Sequence, residues 1–198
     1  MSIVEWKNLK KAFHAYGKEP NFNVWQARDG KHRISNGYFV INTKEQPKGA
    51  GLTFLINNFN EMPEPNSLMK RYGKNHVDKL TEESGHIYEQ AEGVIDNASH
   101  KDDTPSEELE MTGIKISQQN EKEFESVVLF NKTRKEYVFL RKELMDIVIP
   151  GTKILGSSGN KPVYFVEDTW DEENRDFVMI LPIRQVHENE FLANPEHL

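Results

Sequence analysis

Cysteine is missing from all 198 residues. Disulfides, zinc–thiolate sites, iron–sulfur clusters and thiol nucleophiles are thereby excluded. Long apolar runs are missing too; none approaches the roughly 18 residues that a membrane helix needs. The opening Met1-Ser-Ile-Val-Glu-Trp-Lys lacks the basic-then-apolar order of a secretory leader. A cytoplasmic protein without membrane partners is the expectation. Catalytic signatures are equally sparse. His14, His32, His76, His86, His100, His187 and His197 form no HExxH and no paired spacing with carboxylates. Gly156-Ser-Ser-Gly159 lacks the Gly-Lys-Ser/Thr ending of a phosphate loop, and Ser157 and Ser158 sit in no nucleophile elbow. Asp168, Asp171, Glu172 and Glu173 lack the glycine and distal glutamate of an EF-hand loop, so a solvated hairpin turn is expected there. No carboxylate pair stands out for general acid–base work. The chain reads as a non-enzyme with no metal and no cofactor.

What is present is a soluble globular composition, 36% apolar and 29% charged, in a length that suits one domain. The net charge of −7 is unevenly placed. Residues 1–56 carry nine Lys/Arg against four Asp/Glu, residues 57–112 five against thirteen, and residues 113–198 eleven against fifteen. A basic first quarter in an acidic whole permits a local basic face, because potential near a surface is set by charge within about one Debye length, roughly 8–10 Å.

A helix is expected over residues 4–17. At 100° per residue Trp6, Leu9, Phe13 and Tyr16 form one apolar stripe. Lys7, Lys10, Lys11, His14 and Lys18 form a second, with no acidic residue between positions 6 and 18. Gly17 and Pro20 stop the helix. A hairpin follows, turning at Asp29-Gly30, with Asn36-Gly37 as a second turn or a bulge. A third strand is expected at 51–56. Residues 57–112 read as an acidic insertion or connector, with a helix across roughly 75–95 and a polar tract from Asn97 to Glu110 that has little reason to pack. The last third is strand-rich: one strand at 113–117, a hairpin of 123–130 with 136–140, a short helix 141–149, then strands at 152–155, 162–167 and 176–184. Alternation in Val163 and Phe165, and in Phe177, Met179 and Leu181, fits half-buried antiparallel strands. The expected class is therefore α+β. Two pseudo-duplicated units of helix plus antiparallel sheet, residues 1–56 and 113–198, complete one domain around the 57–112 insertion.

Three stretches then resemble one domain of a DNA sliding clamp, bacterial or eukaryotic. Leu9-Lys-Lys-Ala-Phe-His-Ala-Tyr-Gly resembles the opening clamp helix. Val24-Trp-Gln-Ala-Arg-Asp-Gly-Lys-His-Arg-Ile-Ser-Asn-Gly resembles the strand, turn and strand after it. Lys161-Pro-Val-Tyr-Phe-Val-Glu-Asp with Asp176-Phe-Val-Met-Ile-Leu-Pro-Ile-Arg resembles the closing hairpin. A clamp subunit has two or three such domains and this chain has room for one, so ring formation requires a homo-oligomer. The resemblance implies helices that present cations to DNA phosphates without reading bases, hence sequence-independent, salt-sensitive binding to duplex DNA. Lys7, Lys10, Lys11 and Lys18 are the candidates, with Arg141 and Lys142 as the pair on the second helix. It also implies a pocket for short peptides of a replication or repair protein, with Leu181, Pro182, Ile183 and Arg184 in the position of its C-terminal wall. A solvated helix face accounts equally for the lysines, and a buried closing strand for residues 181–184; Pro182 places that strand at an edge or near its end. Two functions follow from different classes. One is a processivity or accessory factor in DNA replication. The other is a small accessory or inhibitory protein of the phage type, which binds a host protein through its surface and acidic segment.

Overall fold

The structure is a computed structural model, and it describes residues 2–16, 22–27, 29–72, 76–86, 88–90, 93, 107–119, 123–157, 161–167 and 176–183. Among the described residues eleven strands form one antiparallel sheet: β1 Phe22–Gln26, β2 His32–Ser35, β3 Phe39–Thr43, β4 Ser67–Tyr72, β5 His76–Thr81, β6 Glu107–Gln119, β7 Glu123–Asn131, β8 Glu136–Arg141, β9 Lys153–Gly156, β10 Val163–Val166 and β11 Phe177–Ile180. Helices accompany them: α1 Leu9–His14, entered through a 3-10 turn at Trp6–Asn8, α2 Gly49–Phe59 and α3 Lys142–Met145, and the described residues 86, 88–90 and 93 are helical as well. The class is α+β, dominated by the sheet.

The strand order is β5-β4-β1-β2-β3-β11-β10-β9-β6-β7-β8. Its centre is the antiparallel pair β3–β11, with Val40 opposite Met179 and Ile41 opposite Val178. Reading outward, α1-β1-β2-β3 and α3-β9-β10-β11 are the same helix-plus-meander unit, joined edge to edge. β4 flanks β1 as β6 flanks β9. The meanders turn where the sequence indicates. At Asp29-Gly30 the Ala27 N–H donates to the Lys31 carbonyl at 2.9 Å, the Asp29 carboxylate accepts from the Lys31 N–H at 3.0 Å, and Gly30 takes φ 78°. Asn36-Gly37 proves to be a turn and not a bulge, since the chain reverses there into β3.

That turn displaces the expected third strand. Residues 51–56 lie in α2, where Gly51, Phe54, Leu55 and Phe59 are the buried face. Their three-to-four-residue spacing is helical, and Asn60 closes the helix at φ 69° with its N–H on the Ile56 carbonyl. The helix packs closely on Trp6. A Cβ at Gly51 would stand 2.7 Å from the Trp6 carbonyl oxygen. Residues 67–72 and 76–81 are also a correction. They were expected inside a partly helical connector and instead form the paired strands β4 and β5 at one end of the sheet; of the helix expected across roughly 75–95, the described residues are 3-10 at 82–84 and α-helical at 86, 88–90 and 93. Residues 107–112, assigned to the polar tract and the segment's end, begin the long strand β6. The short helix expected over 141–149 closes after one turn.

Both faces of the central strands are covered. Leu9 and Phe13 of α1, Leu55 and Phe59 of α2 and Leu144 of α3 share a core with Phe22, Val24, Ile34, Phe39, Ile41, Val163, Phe165, Val178 and Ile180. α1, α2 and α3 therefore lie on one side of the sheet. Alternate residues point the other way: Trp25, Val40, Leu68, Tyr164, Val166, Phe177 and Met179 make a second core with Tyr88. β10 and β11 are accordingly buried at every position and not on alternate ones as the pattern implied. Tyr88, from the acidic middle of the chain and 2% exposed, supplies part of the cover.

Candidate nucleic-acid interface

The cations picked from the two helices stand on one side of the sheet because α1 and α3 pack antiparallel. At one end the Asn8 amide donates to the Asp146 carbonyl at 2.7 Å, the Glu5 N–H to the Ile147 carbonyl at 2.7 Å, and the Ile149 N–H to the Ile3 carbonyl at 3.0 Å. At the other end Tyr16, just past α1, meets Arg141, just before α3. Leu9, Ala12 and Phe13 are turned to the core, so Lys7, Lys10 and Lys11 are turned to water.

These cations differ in what already holds them. Lys7 pairs with Glu5 at 3.2 Å, largely in solvent, an arrangement worth little. Lys10 and Lys11 are exposed and have no ion pair among the described residues. Lys142 is gripped by both carboxylate oxygens of Asp146 at 2.6 and 2.8 Å, and that hydrogen bonding raises its pKa above the usual lysine value. Arg141 is stacked between two rings, 4.6 Å from the Tyr16 centroid and 4.4 Å from that of Phe124, with its Nε 3.3 Å from Glu143. Burial raises the Tyr16 phenol pKa, and the Arg141 charge draws it part of the way back. Beyond Tyr16 the stack continues to Tyr38, parallel within 12° at a centroid distance of 3.7 Å. Lys18 lies outside the described residues.

Lys7 and Lys142 both line a cavity of about 520 Å³ between the helix pair and β6. Its floor is Val127, Met145, Val148, Ile154 and Phe165. A β-bulge between Met111 and Lys115, with Gly113 at φ 78°, breaks the β6–β7 register beside it, and both flanking side chains line the cavity. Nothing in the sequence marked this hollow, because its walls come from five separate stretches.

The residues expected to wall a peptide pocket lie elsewhere. Leu181 and Ile183 are half-buried; their N–H groups bond the carbonyls of Tyr38 and Phe139 at 2.9 and 2.8 Å. Pro182 occupies the intervening position, where its missing donor costs nothing. Leu181, Pro182 and Ile183 thus join the β2–β3 turn to β8, and they line neither the 520 Å³ cavity nor the smaller one of about 330 Å³ beside α2. Arg184 lies outside the described residues, as do Asp168 and the 171–173 acidic turn. Among the described residues no three His, Asp or Glu side chains converge as a metal site, and no helix is long and apolar enough to cross a membrane.

Sequence reasoning also missed a charged seam between the two units. Asp176, just before β11, accepts from the Thr43 hydroxyl at 2.6 Å and from the Lys44 N–H at 3.0 Å, and stands 3.6 Å from Lys31 Nζ. Arg33 is held beside it by Asp29 at 3.0 Å and Asn42 at 3.0 Å. Lys31 and Arg33 are nearly fully buried, and burial lowers the Lys31 pKa against the opposing pull of Asp176 and Asp29.

No family model matches this chain, and no curated protein matches it.

Proposed function

We propose that this chain is a non-enzymatic, clamp-like protein that holds DNA through the face carrying α1 and α3, as a processivity or accessory factor in replication or repair. One observation carries the reading. Two helix-plus-meander units join edge to edge at β3–β11 with both helices on the same side, so cations from both helices share one face of an otherwise acidic protein. The local resemblance of the first helix and of two hairpins to a sliding-clamp domain supports it. Phosphate contacts from Lys10 and Lys11, with Lys7 at their side, make binding independent of sequence and sensitive to salt. Encirclement of a duplex takes several copies.

The test is mass in solution with and without duplex DNA, for the wild type and for Lys7→Glu/Lys10→Glu/Lys11→Glu. Expected are an oligomer on DNA for the wild type and loss of low-salt binding for the variant. A monomer indifferent to DNA overturns the reading.

A second reading has its own support. Among the described residues β5 ends the sheet and mixes exposed with half-buried positions; Glu61 pairs with its Lys79 at 2.7 Å, exposed Glu82 and Glu83 follow it directly, and Glu64 and Glu89 are exposed as well. An open strand edge is a template for another chain, which suits an accessory protein that docks on a host partner. Because β4 and β5 belong to the sheet, deleting the segment would unfold the protein. Charge reversal at Glu82, Glu83 and Glu89 with capture of a basic partner is the discriminating experiment; retention of the partner by that variant excludes this route.

A further inference from the structure

We propose that Tyr38, backed by Tyr16 and Arg141, is a stacking platform for an unpaired nucleobase, so that the protein grips single-stranded DNA beside the duplex. The inference rests on the nucleic-acid reading of the same face. It starts from exposure. Tyr16 and Tyr38, 40% and 42% exposed, are two of the four large apolar side chains that the described residues leave in water. They come from different elements, yet they stack on each other. The column continues through the Arg141 guanidinium to Phe124. Three elements thus align ring, ring, cation and ring in one pile whose outer member is Tyr38.

Tyr38 is also held in place. Its N–H donates to Asn36 Oδ1 at 3.0 Å, the next N–H donates to the same oxygen at 3.2 Å, and its carbonyl accepts from Leu181 at 2.9 Å. The Asn36 amide donates to the Ala12 carbonyl at 3.4 Å, tying the turn to α1. A ring fixed in advance loses little freedom when a second ring lies on it.

Charge selects the occupant. No acidic residue lies between positions 6 and 18, Lys10, Lys11 and His14 are exposed on the helix just before Tyr16, and Glu143 beside the column is paired with Arg141. Lys10 is six residues from Tyr16, roughly 9 Å along a helix axis. That is two to three nucleotides of stacked strand at about 3.4 Å each. Aromatic platforms beside lysines are how proteins hold single strands without reading sequence. An uncharged aromatic or proline side chain of a protein would leave those lysines unmatched.

The experiment measures binding of the full chain to three fluorescent probes at low salt: an oligothymidylate, an abasic strand of the same length, and a blunt duplex. Wild-type protein is expected to prefer the oligothymidylate over the abasic strand. Tyr38→Ala is expected to weaken oligothymidylate binding about tenfold, to leave the abasic strand and the duplex unchanged, and to be rescued by Tyr38→Phe. Unchanged duplex binding doubles as the check that the variant is folded. Equal affinity for the two single strands, or an oligothymidylate affinity that ignores Tyr38→Ala, overturns the platform while leaving the phosphate reading intact. Failure of the wild type to bind any of the three overturns both.

Discussion

Replacing Asp176 by alanine tests whether the two helix–strand units are locked by charge as well as by the β3–β11 ladder. The carboxylate holds the Thr43 hydroxyl at 2.6 Å and the Lys44 N–H at 3.0 Å, and it faces Lys31 Nζ at 3.6 Å. Hydrogen bonds to a charged group contribute about 1.5–3 kcal/mol each, and stranding a buried charge costs about 3–5 kcal/mol. Two facts reduce the sum. Asp176 keeps about a fifth of its side chain in water, and Asp29 continues to favour the Lys31 charge. The expected net loss is about 3 kcal/mol, which at a urea slope of about 2 kcal/mol/M moves the midpoint by about 1.5 M. The double variant with Lys31→Met should cost no more than Asp176→Ala alone, giving a coupling of about 1–2 kcal/mol. The pH dependence carries a sign. Burial sets the folded Lys31 pKa below its unfolded value, so between the two values the unfolded chain binds more protons and stability rises with pH. Without Asp176 the folded value falls further, and the alkaline rise begins at lower pH. A midpoint shift under about 0.3 M, or costs that simply add, would refute a charged lock at the seam.

Two further perturbations probe the helix side. Gly51→Ala should destabilise by about 1–3 kcal/mol in urea titration, despite a helix-propensity gain of about 1 kcal/mol, because the new methyl meets the Trp6 backbone at 2.7 Å; a stabilised variant would show that α2 is not seated there. Burial lowers the His32 pKa, and its Nδ1 has no hydrogen-bond partner among the described residues. The unfolded chain thus takes up the proton first as pH falls below about 6.5, stability drops across that window, and His32→Gln should flatten the drop in denaturation midpoints read against pH.

The meander turns were legible because their chemistry is local. Asp-Gly reverses a strand wherever it stands between apolar alternations, and β1–β2 followed from that; Asn36-Gly37 left a turn and a bulge open, and the polar Asn131-Lys-Thr-Arg stretch marked β7–β8. α2 was not legible. Leu52-Thr-Phe-Leu-Ile56 is an apolar run too short for its period to separate helix from strand, and the deciding contact, Gly51 under Trp6, spans 45 residues of chain. The hairpin β4–β5 was hidden by lysines and an aspartate on a half-exposed end of the sheet, where alternation is weak. The double burial of β10 and β11 was hidden because what covers their second face includes Tyr88, which lies 75 or more residues away in a stretch whose charge suggested solvent.

On the face proposed for DNA, periodicity found the lysines but not everything that holds each of them. Glu143 and Asp146 already set Arg141 and Lys142 apart from Lys7, Lys10 and Lys11 in the sequence; in the structure Arg141 is enclosed by two rings that arrive from positions 16 and 124, and Lys142 is held by the carboxylate one helical turn on. A local pattern sees the second arrangement as an i,i+4 pair and cannot see the first. The difference has a measurable consequence. Each phosphate contact contributes about −0.9 to the slope of log affinity against log salt on duplex DNA. Five equal cations would give a slope near −4.5, whereas the exposed Lys10 and Lys11 alone give about −2, and Lys7 adds to that only by leaving Glu5. A salt titration of the wild type should therefore give a slope near −2 to −3, and Arg141→Ala should leave it unchanged while loosening the Tyr16 stack. A slope steeper than about −4 would mean that Lys142 and Arg141 abandon their partners on DNA, and that the helix pair rearranges when it binds.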